Sequence, residues 1–119
     1  TAVRNQGHDV GYLSAYPKHP MTIWVNKSKN NFAWALKHGL ALGEEYTHRY
    51  NKVHASHKML KTIQDLDIKG NAKDMTTPPL CMPDEYKKPS YIESYRNYYV
   101  NAKKHFAKYT NREIPEFMK

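Results

Sequence analysis

Residues 28–50 read SKNNFAWALKHGLALGEEYTHRY, and this run decides the fold. Phe32, Leu36, Leu40, Gly43, Thr47 and Tyr50 recur at intervals of three or four, the spacing of one helix face. Ser28 precedes them as an N-cap. The small residues Ala33, Ala35, Gly39, Ala41 and Gly43 leave room for a second helix to approach closely. Each glycine costs about 1 kcal/mol against alanine in a helix, which close packing would offset.

Upstream, Pro20 followed by Met21, Thr22, Ile23, Trp24 and Val25 predicts a short buried helix ending near Asn26. Residues 1–19 show no sustained period and read as loop. Downstream, Ser56 is placed to cap a third helix with Met59, Leu60, Ile63 and Leu66 inward, ending before Gly70. Residues 67–89 hold four prolines and one glycine and predict a long irregular connection of the kind that often carries function. Ser90 and Glu93 then spell a capping box. The last helix is expected to run to about Lys108 with Ile92, Tyr95, Tyr99, Ala102 and Phe106 inward. The expectation is an all-α fold, three to four helices around one core with a long Pro-rich loop, in a single domain over 1–119.

The chain has 119 residues, too few for a multidomain enzyme. It has no apolar run long enough to span a membrane and no secretory signal pattern. Its one cysteine, Cys81, fits a reducing compartment, and a cytoplasmic location is expected. Nineteen Lys and Arg against eleven Asp and Glu give a net charge of +8, so an anionic partner is the first expectation. The charge is uneven: residues 1–38 carry five basic and one acidic side chain, and residues 87–112 carry seven and one. The segment between them holds six basic and seven acidic residues.

That middle segment contains the densest polar stretch, EEYTHRYNKVHASHK over residues 44–58. Glu45, His48, Arg49 and Lys52 fall on one helix face. A carboxylate among cations can serve as general acid or base, and Arg49, Lys52, His54 and Lys58 can hold phosphates. The same spacing also describes a solvated helix face laced by i,i+4 pairs. Glu45 and His48 match half of a di-iron carboxylate motif without its second half, and His54 and His57 could supply only two of the ligands zinc needs. No metal is expected. Walker and dinucleotide-binding motifs are also missing, so no cofactor is expected. In the last helix Arg96, Lys103, Lys104 and Lys108 alternate with tyrosines, a pattern suited to phosphates and unstacked bases.

Some of these residues form a set: His19-Pro20, Trp24, Phe32, Trp34, the run Gly39–Tyr50, Lys52, His54, Met82-Pro-Asp-Glu-Tyr86 and Tyr95-Arg-Asn-Tyr-Tyr99. The set resembles a small family of phage-encoded basic helical proteins, often described as similar to pyrimidine dimer DNA glycosylases. The resemblance covers residues 19 to about 116. It implies a protein acting on double-stranded DNA, damaged or not, in the cytoplasm of an infected bacterium. In those glycosylases the α-amine of an N-terminal threonine is the nucleophile and a glutamate stabilises the intermediate. Thr1 and Glu45, with Glu44 beside it, match those residue types, although the spacing between them differs. Members of the phage family extend further upstream, which would make Thr1 an internal residue.

Two functions follow as expectations. One is a repair or modification enzyme that takes a pyrimidine out of the stack and acts on it at the Glu45 to His54 face. The other is a noncatalytic DNA-binding module whose basic flanks grip phosphates. A protein that binds a host protein is a third.

Overall fold

Ser28 ends one helix and starts the next. Its backbone is extended (φ −149°, ψ 156°) and its Oγ accepts from the Asn31 amide at 3.0 Å, so the cap expected from the sequence is formed. The computed structural model describes all 119 residues, Thr1–Lys119. Five α-helices occur, α1 (Ala2–Asn5), α2 (Pro20–Lys27), α3 (Lys29–Tyr50), α4 (Ala55–Ile63) and α5 (Tyr91–Tyr98). There are no strands, only an isolated bridge between Ser28 and Asn71, and the fold is all-α as expected. No helix is long and apolar enough to cross a membrane. The chain forms two compact units, Thr1–Thr76 and Thr77–Lys119.

In the first unit α2 packs on α3 and α3 on α4. Pro20 opens α2 at its first turn, where its missing N–H costs nothing, and His19 Nδ1 accepts from the Met21 amide. Trp24 and Phe32 are buried at the α2–α3 contact, each contributing about 1.5–3 kcal/mol by leaving water. Trp24 meets Trp34 edge-on, with ring centroids 5.7 Å apart. Asn31, wholly buried, donates from Nδ2 to the Trp24 carbonyl at 2.8 Å and accepts at Oδ1 from the Thr76 amide at 3.0 Å. This polar node pins the end of the unit to its centre.

Helix α3 ends at Asn51, which adopts the left-handed conformation (φ 53°) and donates its N–H to the Thr47 carbonyl. The chain then reverses into α4. The expected cap at Ser56 is corrected: His54 is the N-cap, its Nδ1 accepting from the Ser56 amide at 3.0 Å. The helix therefore starts sooner than the serine implies. It also stops at Ile63, short of Leu66, whose amide donates to the Ile63 carbonyl in a turn.

Residues 1–19, which read as loop in the sequence, contain one turn of helix, α1. Its side chains fasten the loop behind it. Arg4 donates to the carbonyls of Gly11 and Tyr12 and pairs with Asp9, and Asn5 donates to the Pro17 carbonyl.

In the second unit the Pro-rich segment is tied to α5 by polar side chains. Tyr95 Oη donates to the Pro79 carbonyl at 2.7 Å, Asn97 Nδ2 to the Tyr86 carbonyl, and Ser94 Oγ accepts from the Lys88 amide. The capping box at Ser90 and Glu93 does not form. Ser94, wholly buried, binds the turn instead, with its hydroxyl also in reach of the Ser90 carbonyl at 2.8 Å. The expected inner face is corrected too, since Ile92, Tyr99 and Phe106 are all exposed. Ser94 and Tyr95 fix the inward face through their loop contacts.

Nor does α5 continue regularly to Lys108. A π-turn occupies Tyr99–Lys103 and a 3₁₀ turn Lys104–Phe106. Within the π-turn the Asn101 side-chain amide donates to the Asn97 carbonyl at 2.9 Å. In an α-helix that carbonyl would take the Asn101 main-chain N–H. A side chain bonded to a carbonyl of the ladder competes with that bond where the π-turn begins.

Candidate nucleic-acid interface

The irregular end of α5 builds the most distinctive arrangement in the molecule. In a π-turn residues five apart come to the same side, and in a 3₁₀ turn residues three apart eclipse. Lys103 uses both. Its Nζ lies 5.1 Å from the centre of the Tyr98 ring, five residues back, and 5.5 Å from that of Phe106, three residues on. Cation–π attraction of this kind is worth about 0.5–1 kcal/mol at an exposed site. The rings continue on either side: Tyr98 contacts Tyr86 and Tyr99, and Phe106 contacts His105. Arg96 lies 4.9 Å over Phe117. Phe106 is 57% exposed, Tyr99 49% and Phe117 41%. Lys104 donates from Nζ to the Lys119 carbonyl, and Lys108 is exposed.

The other candidate residues all lie in the first unit. Arg49 Nε donates to Glu45 Oε1 at 2.9 Å, with both side chains half-buried. The carboxylate is thus paired along its own helix. Glu44, Lys52 and Lys58 are exposed. His54 caps α4 and meets Tyr46 edge-on at 4.8 Å, while Tyr46 packs on Tyr50 at 4.9 Å. Tyr46 and Tyr50 are one helical turn apart, a spacing the sequence shows, whereas His54 joins them only because the chain reverses after Asn51. It borders a cavity of about 320 Å³ floored by Gly39, Leu42, Gly43 and Leu60. His57 is buried there, and its Nδ1 has no hydrogen-bond partner.

Thr1 stands elsewhere. It lines a cleft with Phe32, Ala35 and Leu36 of α3. Glu44 and Glu45 follow Leu36 by eight and nine residues, which puts them about 12–14 Å further along the helix. The structure does not bring Thr1 and either glutamate together. Instead the Thr1 hydroxyl donates to the Ala15 carbonyl at 2.8 Å and accepts from the Ala15 amide at 2.9 Å, closing the loop that Arg4 and Asn5 also hold.

No group of three or more His, Cys, Asp or Glu side chains converges as a metal site would require. Lys87, hydrogen-bonded to Asp84 at 2.7 Å, holds that exposed carboxyl below its usual value of 3.8. Burial raises the Tyr95 hydroxyl above its usual value of 10.0.

Comparison of the chain with protein-family models, curated proteins and solved structures finds no match to any of them.

Proposed function

We propose that this chain is a noncatalytic DNA-binding module whose second unit contacts the phosphate backbone. The observation that supports it most is the placement of Lys103 between the Tyr98 and Phe106 rings within a segment, residues 87–112, that carries seven basic side chains and one acidic one. A lysine held against apolar rings loses little further freedom when its ammonium meets an anion, so its engagement of a phosphate costs less. Arg96, Lys104 and Lys108 belong to the same segment and supply further positive charge.

A glycosylase reading draws on the resemblance to the phage family and requires a terminal amine beside a carboxylate. Thr1 lies against Phe32, Ala35 and Leu36, about 12–14 Å along α3 from Glu44 and Glu45, so that pair has no support in the geometry. The DNA-binding reading needs neither.

The test is binding of a labelled duplex by fluorescence anisotropy across a range of salt concentrations. The logarithm of the affinity is expected to fall linearly with the logarithm of salt concentration. Lys103→Gln leaves one phosphate without its cation and should flatten that slope by about 0.9 on duplex DNA. Binding that is absent, or indifferent to salt, would refute the reading and favour a protein partner.

A further inference from the structure

We infer that the second unit prefers unpaired DNA to the duplex, with single bases stacking on the open faces of Phe106 and Tyr99 beside Lys103. The inference rests on the DNA-binding reading and narrows it to a substrate class. Phe106 and Tyr99 are aromatic, roughly half exposed, and held in place by neighbouring rings: Tyr99 touches Tyr98 and Phe106 touches His105. Neither ring is drawn into the interior of the unit, although the helical spacing of the sequence would put both there. Exposed rings cost solvation, and a duplex gives them nothing in return, because its bases are already stacked on one another. An unpaired base has two free faces. Stacking on an aromatic side chain satisfies one of them whatever the base.

The charge is arranged to match. Lys103 lies over Phe106 on one side and over Tyr98, the ring that leads to Tyr99, on the other. A strand laid along the rings would bring its phosphates past this ammonium while its bases met the aromatic faces. The π-turn is what makes this possible, since a regular α-helix would carry Lys103 away from Tyr98.

The experiment titrates the intact chain into a labelled oligothymidylate and into a labelled duplex of the same length at one salt concentration. The oligothymidylate is expected to bind at least about tenfold more tightly. Phe106→Ala should weaken the single-strand complex by roughly fivefold or more, the effect of removing one stacked base, and should weaken it by more than the duplex complex, which loses only the ring beside Lys103. Phe106→Leu keeps the bulk without the aromatic face and is expected to show the same weakening, whereas Phe106→Tyr should restore binding. Circular dichroism confirms that each variant is folded. Equal or tighter binding of the duplex with a normal salt slope overturns the preference for unpaired DNA and leaves the DNA-binding reading standing. Full affinity in Phe106→Leu overturns the stacking. No salt-dependent binding to either oligonucleotide overturns both readings together.

Discussion

The imidazole of His57 occupies the space where Gly43 lacks a side chain: a methyl placed on Gly43 would overlap His57 Cγ and lie 2.7 Å from its Cβ. The α3–α4 contact is built on that approach. At Gly39 the corresponding neighbour is Leu60 Cδ1 at 2.8 Å, the free end of a flexible side chain.

Gly43→Ala and Gly39→Ala should therefore differ although both remove a helical glycine. Each gains about 1 kcal/mol of helix propensity. At Gly43 the overlap is with the root of a buried ring, so overpacking costing about 1–3 kcal/mol should outweigh the gain. At Gly39 the leucine can rotate, and the variant should be neutral or slightly more stable. Urea denaturation of the two variants decides it, and equal midpoints would contradict the packing argument.

Asn31→Ala should be among the most damaging single changes in the first unit. It strips the partner from the Thr76 amide and the Trp24 carbonyl at a fully buried position. Leaving such groups unsatisfied costs about 1–3 kcal/mol each, so destabilisation near 2–3 kcal/mol is expected in chemical denaturation.

Glu45→Gln should be nearly silent. The Glu45–Arg49 pair is part-buried and spans one helical turn, and an amide in place of the carboxylate keeps its shape and an acceptor for the guanidinium. DNA affinity should stay within about twofold of the parent chain. A collapse of DNA strand cleavage in this variant, with binding retained, would restore a catalytic role for the carboxylate.

The Tyr95 hydroxyl gives the second unit a dependence on alkaline pH. Its proton is held more tightly in the folded chain than in the unfolded one, because burial disfavours the phenolate. The folded state then binds more protons than the unfolded state once pH exceeds about 10. Its contribution to stability is complete below that value and is lost as pH rises through the folded value. Tyrosinate absorbance should show a late-titrating phenol that disappears in Tyr95→Phe. That variant also lacks the bonds to Pro79 and Cys81 and should be less stable at neutral pH.

Much of the first unit is legible in residues 20–50, because Pro20, Ser28 and the apolar spacing after Phe32 all act locally. The start of α4 is not, because histidine is an unusual cap and the serine two residues on is the commoner choice. The end of α5 escapes for a different reason. Ile92, Tyr95, Tyr99, Ala102 and Phe106 keep helical spacing, but the chain passes into a π-turn and a 3₁₀ turn where the Asn101 side chain bonds the Asn97 carbonyl. Which carbonyl a side chain takes is something no periodicity records. Among the candidate functional residues, the pairing of Glu45 with Arg49 is implicit in their separation by four. The separation of Thr1 from Glu45 depends on where the first turn docks along α3, which only packing sets.

A π-turn is a helix holding one residue more than its hydrogen bonds require. Removing one residue from the stretch between Tyr99 and Lys103 would let the ladder close as a regular α-helix, so the segment can survive a length change that would shatter most secondary structure. The lysine would then stand four residues after Tyr98, the spacing at which side chains of an α-helix are neighbours, so its seat on that ring would be kept as well. The wider turn and the extra residue thus compensate for one another, and the pairing of ring and ammonium depends on the two changing together.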